Sequence, residues 1–135
     1  DPLTRLYTLH VYRPLCVDRM AEGLSYLIGE HDFTSYCSPR TEVEDRVRTI
    51  YSGSVRTEAA AGESDRRIVI ELTGSGFLYN MVRIIAGTLI LVGREEMEPI
   101  RMRRILEAKD RSAAGPTAPA HGLTLWSVEY EQFRS

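Results

Sequence analysis

Residues 66–92 read RRIVIELTGSGFLYNMVRIIAGTLILV and carry two different periodicities. Ile68, Ile70 and Leu72 alternate with Arg67, Val69 and Glu71, the period-2 pattern of a strand with one buried face. Residues 77–92 are then apolar almost all the way round, the pattern of a helix sunk in a core. About 16 residues with an internal arginine are too few and too charged to cross a bilayer. The stretch therefore predicts a half-buried sheet followed by a core helix.

Working outward, Val47, Ile50 and Val55 in RVRTIYSGSVR give a second strand, joined to the first by a polar hairpin tip, TEAAAGESD. Residues 5–11 mix tyrosine, leucine and valine with polar neighbours and stop before Pro14, which predicts a short strand at a sheet edge. From Val17 the spacing becomes Val17, Met20, Leu24 and Leu27 or Ile28, one face of a helix stopped by Gly29. Asp18 suits the first turn of that helix, and Cys16 is a poor cap. Residues 29–39, GEHDFTSYCSP, are rich in turn formers and predict a loop. Pro99 opens another helix through about Ala108, anchored by Ile105 and Leu106. GPTAPAHG predicts a loop, and the alternation of LTLWSVEY predicts a final strand over residues 123–130. The order has no βαβα alternation, so the fold class is α+β, a largely antiparallel sheet with helices packed on one face. No internal repeat or linker divides the chain, which reads as a single domain over residues 1–135.

The composition, 43% hydrophobic and 27% charged, is that of an ordinary globular domain. A net charge of −2 does not by itself advertise a polyanionic partner, although charge can cluster on one face. Lys109 is the single lysine; the arginine bias suits bidentate contacts to phosphate or carboxylate, and a biased genome gives the same skew. Cys16 and Cys37 form no metal-ligand or disulfide pattern, which points to a reducing cytoplasm. The opening DPLTRLYTLHVYRPL lacks the basic head and apolar run of a signal peptide, and the lack of an initiator methionine suggests a fragment.

Arg83 is the only charge in the apolar helix. Removing a guanidinium from water costs several kcal/mol unless an anion meets it. Two readings stand side by side: Arg83 snorkels outward or pairs with an internal acid such as Asp32 or Asp110, or it faces a cleft and holds a reactive carboxylate ionised. Gly87, one turn on, and Ala86 allow another backbone to come close, for which tight core packing is sufficient reason.

HDFTSYCSPRT, GFLYNMVRIIAGTLILVG and LEAKDRSAAGPTAPAHGLTL, in this order and at these spacings, resemble the TruA family of tRNA pseudouridine synthases. The resemblance implies two similar α+β halves with joined sheets and an active site between them, this chain being the carboxy-terminal half. It implies that Arg83, the arginine of the MVR motif, makes an ion pair with the catalytic aspartate, and that Leu123, of the GLxL motif, packs near the target base. An ordinary inward-facing strand position accounts for Leu123 equally, with Leu125 and Val128 beside it. The implied reaction flips a uridine of the tRNA anticodon stem-loop from its stack, breaks its glycosidic bond and rejoins the base through carbon. The aspartate must stay ionised in a poorly solvated cleft, and Arg83 supports it electrostatically without transferring protons. No metal or organic cofactor is implied; the partners are tRNA, the amino-terminal half and a second copy in a homodimer, with no membrane.

The chain departs from the family pattern at informative places. The aspartate belongs to an Arg-Thr-Asp motif of the amino-terminal half, and no such tripeptide occurs here; Arg40-Thr41-Glu42 lies in the wrong half for Glu42 to replace it. The family's active-site tyrosine precedes this segment, and Tyr7 is too late in the pattern to stand for it. Asn80 stands where many members carry histidine, and Cys16 where a capping aspartate is common. Arg101, Arg103, Arg104, Lys109 and Arg111 form a basic cluster that either binds phosphates or is a solvated face balanced by Glu95, Glu96, Glu98 and Glu107. His31, Phe33 and Tyr36 either approach RNA or anchor their loop. The chain alone is expected to be inactive; the alternatives to an enzyme half are an RNA-binding module without chemistry and a dimerisation domain.

Overall fold

The computed structural model describes residues 2–11, 14–59, 66–120, 123–127 and 130–134, with side chains for 2–10, 14–58 and 67–120. Six strands, β1 (Leu3–Val11), β2 (Gly29–Asp32), β3 (Val47–Ala59), β4 (Arg66–Gly74), β5 (Leu123–Ser127) and β6 (Tyr130–Arg134), form one sheet in the order β2-β3-β4-β1-β5-β6. Every pairing is antiparallel. Helices α1 (Val17–Ser25), α2 (Met81–Gly93) and α3 (Arg101–Ala108) complete an α+β fold, with single-turn helices at Thr34–Tyr36 and Arg111–Ala113.

The β4 alternation does what its pattern predicts. Ile68, Ile70 and Leu72 are buried, and Gly53 and Val55 of β3 and Tyr7 and Leu9 of β1 lie opposite them on the same face. Helices α1 and α2 pack against this face to close the core around Met20, Leu24, Ile84, Ile85 and Leu89. On the opposite face Arg56 bridges Glu58 at 3.0 Å and Glu71 at 2.9 Å. Val69 is buried there too, covered by its register neighbours Thr8 and Arg56 on the flanking strands.

Four expectations need correction. First, β1 is not an edge strand: it lies between β4 and β5, and Pro14 falls three residues past its end, where no ladder donor is required. Second, residues 29–39 are not all loop. Gly29 takes φ +109° and starts β2, whose His31 and Asp32 pair with Arg48 and Val47 on the rim of the sheet, where polar side chains are tolerated. Third, the final strand is two strands, β5 and β6, separated at residues 128–129, which lie outside the described residues, as does the hairpin tip at 60–65. Fourth, the helices begin later than their apolar runs: α2 starts at Met81 and α3 at Arg101, because Asn80 is left-handed at φ 62° and Pro99 sits in the turn ahead of α3.

One irregularity sets the phase of β3. Ile50 pairs with Gly74 while Ser52 pairs with Thr73, so Tyr51 is an extra residue bulged outward, 55% exposed. The bulge lets Ile50 share the inner face with Gly53 and Val55, and it leaves Val47 turned outward.

Candidate functional site: Arg83 and the 115–119 strap

Arg83 lies on the first turn of α2, half-buried in a helix whose other early residues are fully covered. Asn80, just ahead of the helix, has the short polar side chain that tolerates a left-handed backbone. Its Oδ1 accepts from Arg83 Nη1 at 2.9 Å. Arg83 Nε donates to Ala118 O at 2.8 Å, and the Ala118 amide donates back to Arg83 O at 2.9 Å. The arginine thus holds residue 118 by both its amide and its carbonyl.

Residue 118 belongs to a strap, residues 115–119, laid against α2. Its near end is fixed by the Gly115 amide donating to Thr88 Oγ1 at 2.9 Å, while Thr88 donates to Ile84 O one turn back. Gly87 makes the approach possible: a Cβ built there falls inside the contact radius of Pro116 O, and 2.9 Å from Pro116 C. From the sheet side, Tyr7 donates its hydroxyl to Pro119 O at 2.7 Å. Tyr7 is buried, which pushes its phenol upward in pKa, an effect partly offset by the charge of Arg83 close by.

Neither internal acid weighed as a partner reaches Arg83. Asp32 accepts from the amide and hydroxyl of Thr34 at 2.9 and 2.6 Å, and Asp110 from those of Ser112 at 3.0 and 2.8 Å. Among the described residues the ion pairs are Arg19–Glu98, Arg56–Glu58, Arg56–Glu71 and Arg103–Glu107. The Arg83 bonds found among those residues are to neutral oxygens, so its charge is oriented but not compensated by them. Such a site can orient and stabilise a carboxylate or phosphate supplied from elsewhere.

The three sequence motifs meet here. The Ser38 amide donates to Tyr79 O at 3.0 Å, tying the first to the second, and the strap ties the third to the second. Ser35 ties the first to the third: buried, it donates to Ile105 O at 2.6 Å and accepts from the Asp110 amide at 2.8 Å, joining the last turn of α3 to the second residue past its end. Phe33 and Tyr36 are fully buried, with Tyr36 donating to Met102 O at 2.8 Å, so these aromatics anchor the segment. His31 sets its ring edge-on to Phe33 and bonds Ile28 O. Arg101, Arg103 and Arg104 are exposed on α3, Arg103 being paired with Glu107 at 3.2 Å. Leu123 lies in β5 with its backbone opposite Tyr7; its side chain, and those of Leu125 and Val128, lie outside the described residues. No helix among the described residues is long and apolar enough to cross a membrane. No cluster of three or more His, Cys, Asp or Glu among them is arranged to hold a metal.

A family model described as tRNA pseudouridine synthase matches residues 24–131, which include α2, the strap and the Ser35 tether. The chain belongs to the tRNA pseudouridine synthase family. Its similarity to individual TruA-type members is high. The tRNA pseudouridine synthase A of Bacillus subtilis (strain 168) is 52% identical over 131 residues, 97% of this chain and 51% of that protein. That of Brevibacillus brevis is 52% identical over 130 residues, 96% of this chain and 51% of that protein, and that of Geobacillus kaustophilus 48% identical over 125, or 93% and 44%. The chain spans about half the length of the curated relatives it matches. Along the chain, sequence reading singled out Arg83 through its isolation among apolar neighbours, and Gly87 through its size. It missed Tyr7, Thr88 and Asn80 as supports, whose partners are set by tertiary contact.

Proposed function

We propose that this chain is the carboxy-terminal half of a tRNA pseudouridine synthase that isomerises uridine in the anticodon stem-loop, and that Arg83 holds the catalytic aspartate of the amino-terminal half. The supporting observation is the state of Arg83: half-buried, oriented by Asn80 Oδ1 and Ala118 O, and met by no acid among the described residues. An aspartate entering a poorly solvated cleft tends to take up a proton; a fixed guanidinium beside it opposes this and keeps the carboxylate ready for the reaction. Leu123 supplies apolar packing near the flipped base. The exposed arginines of α3 either meet RNA phosphates, with the salt dependence this entails, or form a solvated face balanced by glutamates, as Arg103 is by Glu107. The full-length enzyme works as a homodimer in the cytoplasm without metal or organic cofactor, and the segment alone is inactive.

The test is turnover of tRNA by the full-length enzyme carrying Arg83→Ala. Loss of one partner from a partly buried ion pair, worth about 3 kcal/mol, lowers turnover about 10²-fold. Arg83→Lys, which loses the planar fork but keeps the charge, recovers only part of it. Wild-type turnover in Arg83→Ala refutes the role, and pseudouridine formation by the isolated segment refutes the requirement for the other half.

A further inference from the structure

We infer that Tyr7 is a positioning residue for the reaction, holding Arg83 in place through the 115–119 strap; this rests on the role proposed above for Arg83. The strap contains Pro116 and Pro119, which have no amide hydrogen, so it has few ways to be tied down. Besides a bond from Arg111 Nη2 to Thr117 Oγ1 at 3.3 Å, which comes from the turn just ahead of the strap, four bonds tie it to α2 and the sheet among the described residues: Gly115 N to Thr88 Oγ1, Ala118 N to Arg83 O, Arg83 Nε to Ala118 O, and Tyr7 OH to Pro119 O. Three of these come from α2, and the Tyr7 bond comes from the sheet.

The position of that fourth bond gives it its effect. A buried phenol needs some acceptor, and a neighbouring carbonyl would suffice for stability. Here the acceptor belongs to the residue directly after Ala118, the residue whose carbonyl takes the Arg83 Nε hydrogen. On the α2 side the strap is already at contact distance over Gly87 and cannot move closer. With Tyr7 removed, the strap is released at Pro119 and can lift from α2, taking Ala118 O away from Arg83. The guanidinium is then held only through Asn80, and its aim at an incoming carboxylate loosens. Tyr7 lies 76 positions before Arg83 in the chain (83 − 7), yet is near enough for the arginine's charge to influence its phenol.

The experiment is a double-mutant cycle in the full-length enzyme with Tyr7→Phe, Arg83→Ala and the pair, following kcat, KM for tRNA and the pH dependence of kcat. Tyr7→Phe keeps the ring in the core and removes one hydrogen bond, so kcat falls about fivefold while KM is unchanged. A less well aimed cation lets the carboxylate protonate more readily, so the acid limb of kcat moves to higher pH, in the same direction as for Arg83→Ala. In the Arg83→Ala background Tyr7→Phe has no further effect. If Tyr7→Phe lowers kcat by the same factor in both backgrounds, or leaves kcat and the acid limb unmoved while Arg83→Ala is impaired, the inference is overturned and the role of Arg83 stands. A silent Arg83→Ala overturns both. Should Tyr7→Phe fail to fold, Thr88→Ala frees the strap at Gly115 and is expected to give the same non-additive pattern.

Discussion

Replacing Gly87 with alanine sets two physical effects against each other with opposite signs. In a helix interior, glycine to alanine gains about 1 kcal/mol from propensity alone. At Gly87 the new methyl meets the strap: it enters the contact radius of Pro116 O, lies 2.9 Å from Pro116 C and 3.2 Å from Ala118 N. These are backbone atoms and cannot rotate aside. The strap must retreat, straining the Ala118 N to Arg83 O bond and the Gly115 N to Thr88 Oγ1 bond, each worth about 1 kcal/mol, with a further ~1 kcal/mol or more for overpacking. Against the propensity gain, the net is a destabilisation of about 2 kcal/mol, or a fall in Tm of about 6 °C for a domain of this size. The same movement shifts Ala118 O, so kcat for tRNA falls with little change in KM. Thermal unfolding followed by circular dichroism, together with a turnover assay on the full-length enzyme, measures both. A Tm that rises by a few degrees, as propensity alone requires, would falsify the close packing of strap on helix.

Other perturbations have equally definite signs. Ser35→Ala leaves Ile105 O and the Asp110 amide without their shared partner in a buried place and costs about 2 kcal/mol; an unchanged denaturant midpoint rules out the tether. The Asp32 carboxyl is held below its usual pKa, chiefly by the Thr34 hydroxyl, so its contribution to stability is present above the unfolded value of about 3.9 and is lost as pH falls through the lower folded value. The stability gap between wild type and Asp32→Asn is therefore constant from neutral pH down to about 4 and closes below that; a gap that widens on acidification contradicts the assignment. Glu71→Gln removes one arm of the Arg56 bridge, but both side chains are about 40% exposed, so less than about 1 kcal/mol is lost and added salt erases the difference.

The outcome for each element follows from where its information lies. The β4 alternation and the α2 apolar run were legible because each records its own burial over many residues. Arg83 was legible because a charge in such a run needs a physical account. Its true neighbours were not, since Ala118 and Tyr7 reach it through folding and leave no mark in local spacing. The strand at Gly29–Asp32 was hidden because GEHD is composed of turn formers and charges; as the outermost strand, it takes its order from the ladder with β3. Pro14 misled in the opposite sense, suggesting an edge for β1 although the proline lies outside the ladder. Phe33 and Tyr36 could be read as available to a ligand because their loop is polar, whereas both are fully buried, and Tyr36, like Ser35, donates to a carbonyl of a helix 66 to 70 residues away.

The bulge at Tyr51 also governs which length changes the family segment can absorb. Deleting Tyr51 would turn β3 into an unbroken ladder in which Ile50, Gly53 and Val55 keep their present orientation, so such a deletion should be nearly silent. Deleting a residue between 53 and 57 instead inverts part of the strand and drives polar side chains such as Ser54 and Arg56 into the space where Leu24 fills the gap left by the absent side chain of Gly53. Natural variation in the length of this strand is therefore expected to concentrate at one position, the residue that belongs to neither face.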